Sequence, residues 1–180
     1  EGLGHSIYQA EPVVGDESMV IALGDMLFRQ EYGEFLAAHD SFDGVDASIG
    51  VKPVDEPQHY GVVEKRDDRV ASLVEKPDDP PSSLAISGVY VVEDSRALFD
   101  ALGRLVDNDR RGAGGEFQLT DALARMLDQG AEMATFEVED WYDCGRPETL
   151  LEANRVLLDM RESSDTHDVR NAVVVEPVDI

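Results

Sequence analysis

An α/β fold on a mostly parallel sheet, with antiparallel additions, is what this sequence predicts. Three observations carry it. Short apolar runs alternate with amphipathic stretches of helical period along most of the chain. The run Met19–Leu23 is too short for a membrane span and suits a strand buried on both faces. The shorter strand pairs between residues 60 and 92 are the antiparallel part.

In chain order, Glu1–Ala10 reads as a glycine-bearing loop entering a helix. Gly2 and Gly4 make no dinucleotide fingerprint, because a third glycine and a preceding strand are absent. Gly15-Asp16-Glu17 is a turn into the Met19 strand, which stops at Gly24-Asp25. Tyr32, Phe35 and Leu36 share a face of a short helix ending near His39. Val45–Val51 and Tyr60–Glu64 are strands, and Lys65–Asp68 is a charged turn returning through Val70–Val74. Leu84–Val92 is a strand with Gly88 inside it, where a bulge or a close approach is expected.

Asp94 can cap the next helix, whose stripe is Leu98, Ala101, Leu102 and Leu105. A loop from Asp109 to Glu116 opens a helix with Leu119, Ala122, Leu123, Met126 and Leu127 on one face and Gly130 as its stop. Met133–Val138 is a strand. Pro147 and Glu148 suit the first turn of a last helix carrying Leu150, Leu151, Leu157 and Leu158. Residues 161–168 read as a polar linker, and 169–180 as the start of a β-rich segment.

The 180 residues suffice for one domain with a real core. Net charge is −24, spread along the whole chain, which argues against nucleic acid as a partner because phosphates would be repelled. There are three lysines against twelve arginines. That balance fits a protein of a salt-rich interior, where screening shortens the reach of self-repulsion to a few ångströms. The single cysteine, Cys144, excludes an internal disulfide and fits a reducing compartment. No run approaches the roughly 20 apolar residues of a membrane span, and no signal peptide is read. A cytoplasmic protein without membrane partners is expected. The opening on Glu1 and the close on Ala172–Ile180, a strand pattern without a closing turn, suggest a segment of a longer polypeptide.

The chemistry lies in acids that close strands. In open α/β sheets, ligands bind beyond the carboxyl ends of the strands. Asp25 and Asp143 both end strands beside glycines, and two such carboxylates can share one Mg²⁺ together with substrate phosphates. Glu75 can accept sugar hydroxyls and Lys76, one of the three lysines, can hold a phosphate. Each residue alone is equally a solvated turn residue; together they point to a site. The four histidines have no ligand spacing.

Seven motifs then matter together: Gly2-Leu-Gly-His5, Leu23-Gly-Asp25, Tyr60-Gly-Val-Val63, Val74-Glu-Lys-Pro77, Pro81–Gly88, Gly112-Ala-Gly-Gly-Glu-Phe-Gln-Leu-Thr-Asp121 and Trp141-Tyr-Asp-Cys-Gly145. In order and spacing, over residues 1–160, they resemble the sugar-1-phosphate nucleotidylyltransferases. The first and sixth are most similar to UTP–glucose-1-phosphate uridylyltransferase; the last is closer to glucose-1-phosphate thymidylyltransferase. The tail from Val169 resembles the first coil of a left-handed β-helix.

The resemblance implies a Rossmann-like fold, of which residues 1–160 would be a partial nucleotidyltransferase domain holding the sugar and metal half. It implies Asp25 and Asp143 as Mg²⁺ ligands, Glu75 on sugar hydroxyls and Lys76 on the sugar phosphate. Gly61 and Gly88 would offer backbone to the sugar, Gly2 would lie against the base, and Glu116 would stand near the sugar. Substrates would be a nucleoside triphosphate and a sugar-1-phosphate, with UDP-glucose the favoured product and dTTP the alternative.

The family's glycine-rich, arginine-bearing loop for the triphosphate is missing from these residues, so this chain is expected to turn over little or not at all. Missing first strands would expose a sheet edge, and a homo-oligomer is expected. A non-catalytic sugar-phosphate-binding chain and a purely structural acidic domain remain the competing readings.

Overall fold

The structure is a computed structural model that describes residues 1–145 and 147–160. The linker and β-helix expectations for 161–180 lie outside the described residues. The chain divides into two compact units. One comprises residues 1–23 and 30–139; the other contains 24–29 and the segment from 140 onward.

The first unit is a six-stranded mixed sheet with helices packed on it. Its strands are β1 (Met19–Ala22), β3 (Ala47–Pro53), β4 (Gly61–Arg66), β5 (Arg69–Glu75), β6 (Leu84–Val92) and β7 (Met133–Glu137). The order is β5-β4-β6-β3-β7, with β1 pairing β6. Its helices are α1 (Leu3–Tyr8), α2 (Glu11–Val14), α3 (Tyr32–Asp40), α4 (Ser95–Asp107) and α5 (Leu119–Asp128).

The α/β class matches the expectation, but the antiparallel share is larger than the sequence suggested. Among the described residues of this sheet only β3–β7 is parallel; β1–β6, β3–β6, β4–β5 and β4–β6 are antiparallel. The reason is β6. It lies at the centre of the sheet and runs against each of its three neighbours. From Ala85 to Val92 it is buried throughout, as a strand covered on both faces should be. The apolar run Met19–Leu23 was read as that kind of strand, and the structure corrects this. β1 pairs only β6 among the described residues and alternates half-buried with exposed, Val20 being 43% exposed.

The core forms where α4 and α5 lay their apolar stripes on the sheet. Leu98, Leu102, Leu119, Leu123 and Met126 are all essentially inaccessible, packed with Val63, Ile86, Val92 and Met133. Asp94 caps α4 as expected: its carboxylate accepts the Ala97 N–H at 2.9 Å, an interaction worth about 1 kcal/mol. Phe35 of α3 stacks on Phe136 of β7, with centroids 5.4 Å apart. Tyr32 and Leu36, expected to share its face of the helix, are 50% and 41% exposed.

Gly88 makes the expected bulge. Its φ is +86°, in the region that favours glycine, and the β3–β6 register jumps from Ile49↔Tyr90 to Val51↔Ile86. Gly50 lies opposite. A Cβ there would meet Val89 Cγ1 at 2.5 Å and Ser87 Oγ at 2.7 Å.

The second unit pairs β2 (Met26–Phe28) antiparallel with β8 (Trp141–Asp143) and continues into α6 (Pro147–Met160). Arg29 and Asp140 form an ion pair at 3.0 Å at the end of this ribbon. Of the leucines expected on α6, Leu150, Leu151 and Leu157 are exposed and Leu158 is half-buried; among the described residues of the helix the fully buried one is Ala153.

Candidate functional site

Two clusters gather the residues singled out in the sequence, one in each unit.

The larger begins where β4 and β5 pair at Gly61↔Glu75. Thr120, in the first turn of α5 and nearly buried, donates its hydroxyl to Glu75 Oε2 at 2.6 Å. That fixes one carboxylate oxygen and leaves the other to accept. Gly61 makes this approach possible: a Cβ there would lie 2.9 Å from Glu75 Oε2, 2.9 Å from Ile86 Cδ1 and 3.1 Å from Thr120 Oγ1.

Lys76 follows with φ at +45°, left-handed for a residue with a side chain. It also precedes Pro77, which normally restricts a residue to extended conformations. Such a backbone costs on the order of 1–3 kcal/mol and concentrates at functional positions. It is held by the Lys76 N–H donating to the Tyr60 carbonyl at 3.0 Å, and the side chain is exposed.

Electrostatics mark the same place. Burial, and then the Glu75 charge, push the Asp121 carboxyl above the usual carboxylate range. Burial and Glu75 likewise push the Tyr90 hydroxyl far up. Gly88 is buried, and its carbonyl accepts the Leu23 N–H at 3.0 Å.

Gly2 and Glu116 come together a little further along. A Cβ on Gly2 would lie 2.7 Å from Glu116 Cβ and 2.8 Å from the Phe117 carbonyl. The N-terminal segment is stitched to this loop by Gly4 N–H to the Phe117 carbonyl and Phe117 N–H to the Glu1 carbonyl, at 2.8 and 3.1 Å. Arg111 caps the Phe117 ring at 4.4 Å.

The second cluster holds the two strand-ending acids. β2 and β8 pair Met26 with Asp143, and the Cys144 N–H donates to the Asp25 carbonyl at 2.8 Å. The Gly145 N–H donates to Asp143 Oδ1 at 2.8 Å. A Cβ on Gly145 would sit 2.9 Å from Asp143 Oδ1 and 3.7 Å from Asp25 Oδ2. The missing side chain therefore leaves a cradle between two carboxylates. Hard oxygen donors of this kind fit Mg²⁺, which takes one or two carboxylates and completes its shell with water and phosphate. Among the described residues no group of three or more His, Cys, Asp or Glu gathers into a metal site. Cys144 is free and half-buried, and none of its recorded contacts is with a histidine.

The residues that sequence reasoning gave no role are Thr120, Asp121 and Gly145. Thr120 and Asp121 lie inside a motif already noted. In the first turn of a helix, a hydroxyl and an acid look like ordinary N-terminal residues.

Residues 1–160 match the family model described as Nucleotidyl transferase. The low-salt glycan biosynthesis nucleotidyltransferase Agl11 of Haloferax volcanii is 37% identical over 160 residues, 88% of this chain and 43% of that protein. The UTP–glucose-1-phosphate uridylyltransferase of Pseudomonas aeruginosa is 34% identical over 165 residues, 85% of this chain and 57% of that one. Among solved structures, a UDP-glucose pyrophosphorylase complexed with UDP-glucose superposes with TM-score 0.74 at 26% identity, covering 89% of this chain and 63% of its own. The chain thus spans about half the length of the curated relatives it matches. With all its described residues inside that match, the chain belongs to the nucleotidyl transferase family, that of the sugar-1-phosphate nucleotidylyltransferases.

Proposed function

We propose that this chain carries the sugar-phosphate and metal half of a sugar-1-phosphate nucleotidylyltransferase that makes UDP-glucose from UTP and glucose-1-phosphate, releasing pyrophosphate. dTTP is the alternative nucleotide. Uracil and thymine differ by one methyl group, which a pocket separates by only about 1–3 kcal/mol.

The observation that carries the reading is the Gly61–Glu75–Thr120 contact with Lys76 beside it. Thr120 orients Glu75 so that its free oxygen accepts sugar hydroxyls. Lys76, exposed and held in a strained backbone, neutralises the sugar phosphate. Gly61 and the bulge at Gly88 let the sugar approach the sheet, and the loop of Gly2 and Glu116 closes the pocket towards the base. In the reaction, a phosphate oxygen of the sugar-1-phosphate attacks the α-phosphorus of the triphosphate, and pyrophosphate leaves. Orientation and charge neutralisation supply most of the rate. Asp25 and Asp143 would hold Mg²⁺ across Gly145, and that ion would neutralise phosphate charge.

A salt-rich cytoplasm as the working compartment and a homo-oligomeric assembly belong to the same proposal. Among the described residues no helix is long and apolar enough to cross a membrane.

The test has two parts. Calorimetric titration of the chain with glucose-1-phosphate should show saturable binding that Glu75→Gln and Lys76→Ala each weaken at least tenfold. Pyrophosphate release from UTP or dTTP should be little or none, because the family's glycine-rich arginine loop for the triphosphate is not among these residues. Unaltered binding in both variants would sink the sugar assignment. Turnover at the rate of an intact relative would sink the division of labour. A second reading is a non-catalytic sugar-phosphate-binding chain. It gains ground if a longer gene product containing these residues binds glucose-1-phosphate and still releases no pyrophosphate.

A further inference from the structure

The ribbon that brings Asp25 and Asp143 together is short. β2 and β8 pair as Met26↔Asp143, Leu27↔Tyr142 and Phe28↔Trp141. A two-stranded ribbon of that size is marginal by itself, so its side chains decide what shape it keeps. Opposed residues of an antiparallel pair point to the same face, and so do residues two apart on one strand. Met26, Phe28, Trp141 and Asp143 therefore share a face. Met26, Trp141 and Asp143 are each half-buried, so solvent reaches it.

On that face one contact runs diagonally from strand to strand. The Trp141 indole N–H donates to Met26 Sδ at 3.0 Å. A thioether is a weak acceptor, so the bond adds little stability. Its effect is on where the methionine goes. Met26 stands directly across from Asp143, and Cβ atoms so opposed are about 4.5–5.5 Å apart. Methionine is unbranched, turns about three bonds and fills whatever gap it meets. Left untied, it can fold over the carboxylate beside it. Tied to Trp141, it lies along the ribbon and away from Asp143.

The rest of the cluster needs that room. The Gly145 N–H holds Asp143 Oδ1 at 2.8 Å, and the glycine leaves a space between Asp143 and Asp25. Mg²⁺ gives up its waters reluctantly, so it enters such a space with part of its shell in place. A thioether chain lying over Asp143 would compete with those waters.

We infer that Trp141 is a positioning residue of the Mg²⁺ site: its indole N–H holds Met26 back and keeps the space beside Asp143 open to a hydrated ion. The inference rests on the reading of Asp25 and Asp143 as metal ligands. In this role Trp141 acts through Met26 and not by contact with the ion.

The probe is Mn²⁺, followed by the free-ion signal in electron paramagnetic resonance. The 180-residue chain is kept in molar KCl, where screening frees ions loosely held by the acidic surface. Asp143→Asn sets the background. Trp141→Phe keeps a ring and removes the donor. It should bind Mn²⁺ about three- to tenfold more weakly, the scale of immobilising one long side chain. Met26→Val keeps a strand-forming residue too short to cover Asp143, and should bind as wild type does. The double variant separates positioning from mere support. With no methionine left to restrain, its affinity should return to the wild-type value, whereas a purely structural Trp141 predicts binding at least as weak as in Trp141→Phe. Urea unfolding of each sample confirms the fold. Trp141→Tyr, which also lacks the indole donor, takes over if Trp141→Phe does not fold. Wild-type affinity without the indole, or no recovery in the double variant, would overturn the inference and leave the metal ligands standing. If the wild-type chain binds no more Mn²⁺ than Asp143→Asn does, the metal reading itself fails and the role of Trp141 falls with it.

Discussion

Replacing Gly61 by alanine tests the sugar pocket at its tightest point. The new methyl group would stand 2.9 Å from Glu75 Oε2, 2.9 Å from Ile86 Cδ1 and 3.1 Å from Thr120 Oγ1. Carbon contacts relax to roughly 3.5–4.0 Å, so each neighbour must retreat by several tenths of an ångström. The Ile86 side chain is buried and has little room, which sets an overpacking cost of about 1–3 kcal/mol on stability. Glu75 is half-buried on a longer side chain and yields more readily, at the expense of its 2.6 Å bond from Thr120.

A hydrogen bond to a charged group is worth about 1.5–3 kcal/mol, and a displaced carboxylate forfeits its bond to the sugar on the same scale. At 1.4 kcal/mol per factor of ten, that is a roughly 10- to 150-fold rise in Kd for glucose-1-phosphate. The methyl also narrows the approach to the backbone of residue 61, so Glu75→Gln, which leaves that backbone open, is measured beside it. Calorimetry with glucose-1-phosphate, alongside urea unfolding of the same samples, separates the two costs. A folded Gly61→Ala chain with wild-type affinity would refute both the close approach at Gly61 and the claim that Glu75 is the acceptor.

Gly50→Ala should destabilise without touching the pocket side chains. Its Cβ would meet Val89, Ser87 and Phe136 in the buried sheet, costing about 1–3 kcal/mol, or about 2–4 °C of Tm per kcal/mol in a thermal melt. Lys76→Gly should do the reverse, gaining about 1 kcal/mol in urea unfolding by relieving the left-handed backbone while weakening sugar-phosphate binding. The Asp121 carboxyl is raised above its unfolded value by burial and by Glu75. The folded state therefore binds this proton more tightly than the unfolded one, and stability falls as pH rises from about 4 through the raised value. Asp121→Asn should flatten that part of the stability–pH curve and be the more stable protein at pH 7; an unchanged slope counts against the assignment. With a net charge of −24, Tm should climb steeply between millimolar and molar KCl, and a flat profile would remove self-repulsion as a factor.

The sequence was most legible where the cause of a structure lies close by. Asp94 caps α4 through an atom three residues on, the charged turn at Asp67 closes a hairpin between adjacent strands, and Gly88 marks its bulge by being glycine. It was least legible where the cause lies far along the chain. Nothing within Met19–Leu23 says that β6 will run antiparallel to it and leave its alternate side chains exposed. The apolar composition of α6 does not say which face is buried, and among its described residues the fully buried one is Ala153. Asp25 and Asp143 are more than a hundred residues apart, so the sequence could pair them only by their like setting beside glycines and by family resemblance, whereas the β2–β8 ribbon sets both beside Gly145.

Thr120 and Asp121 were hidden for another reason. Their types are what a helix start calls for, and it is their neighbour Glu75, on a different element, that makes them unusual. A stable fold satisfies local rules, and departures from them collect where something other than stability is selected. Lys76 is left-handed before a proline, and Asp121 is an acid set against an acid with no recorded donor. Both departures fall beside Glu75. Neither is needed to close the sheet or to pack α5, whose buried face is Leu119, Ala122, Leu123 and Met126. The sugar-1-phosphate proposed above would bring hydroxyl donors to Glu75 and a phosphate to Lys76, offsetting the cost of the strained lysine backbone by binding.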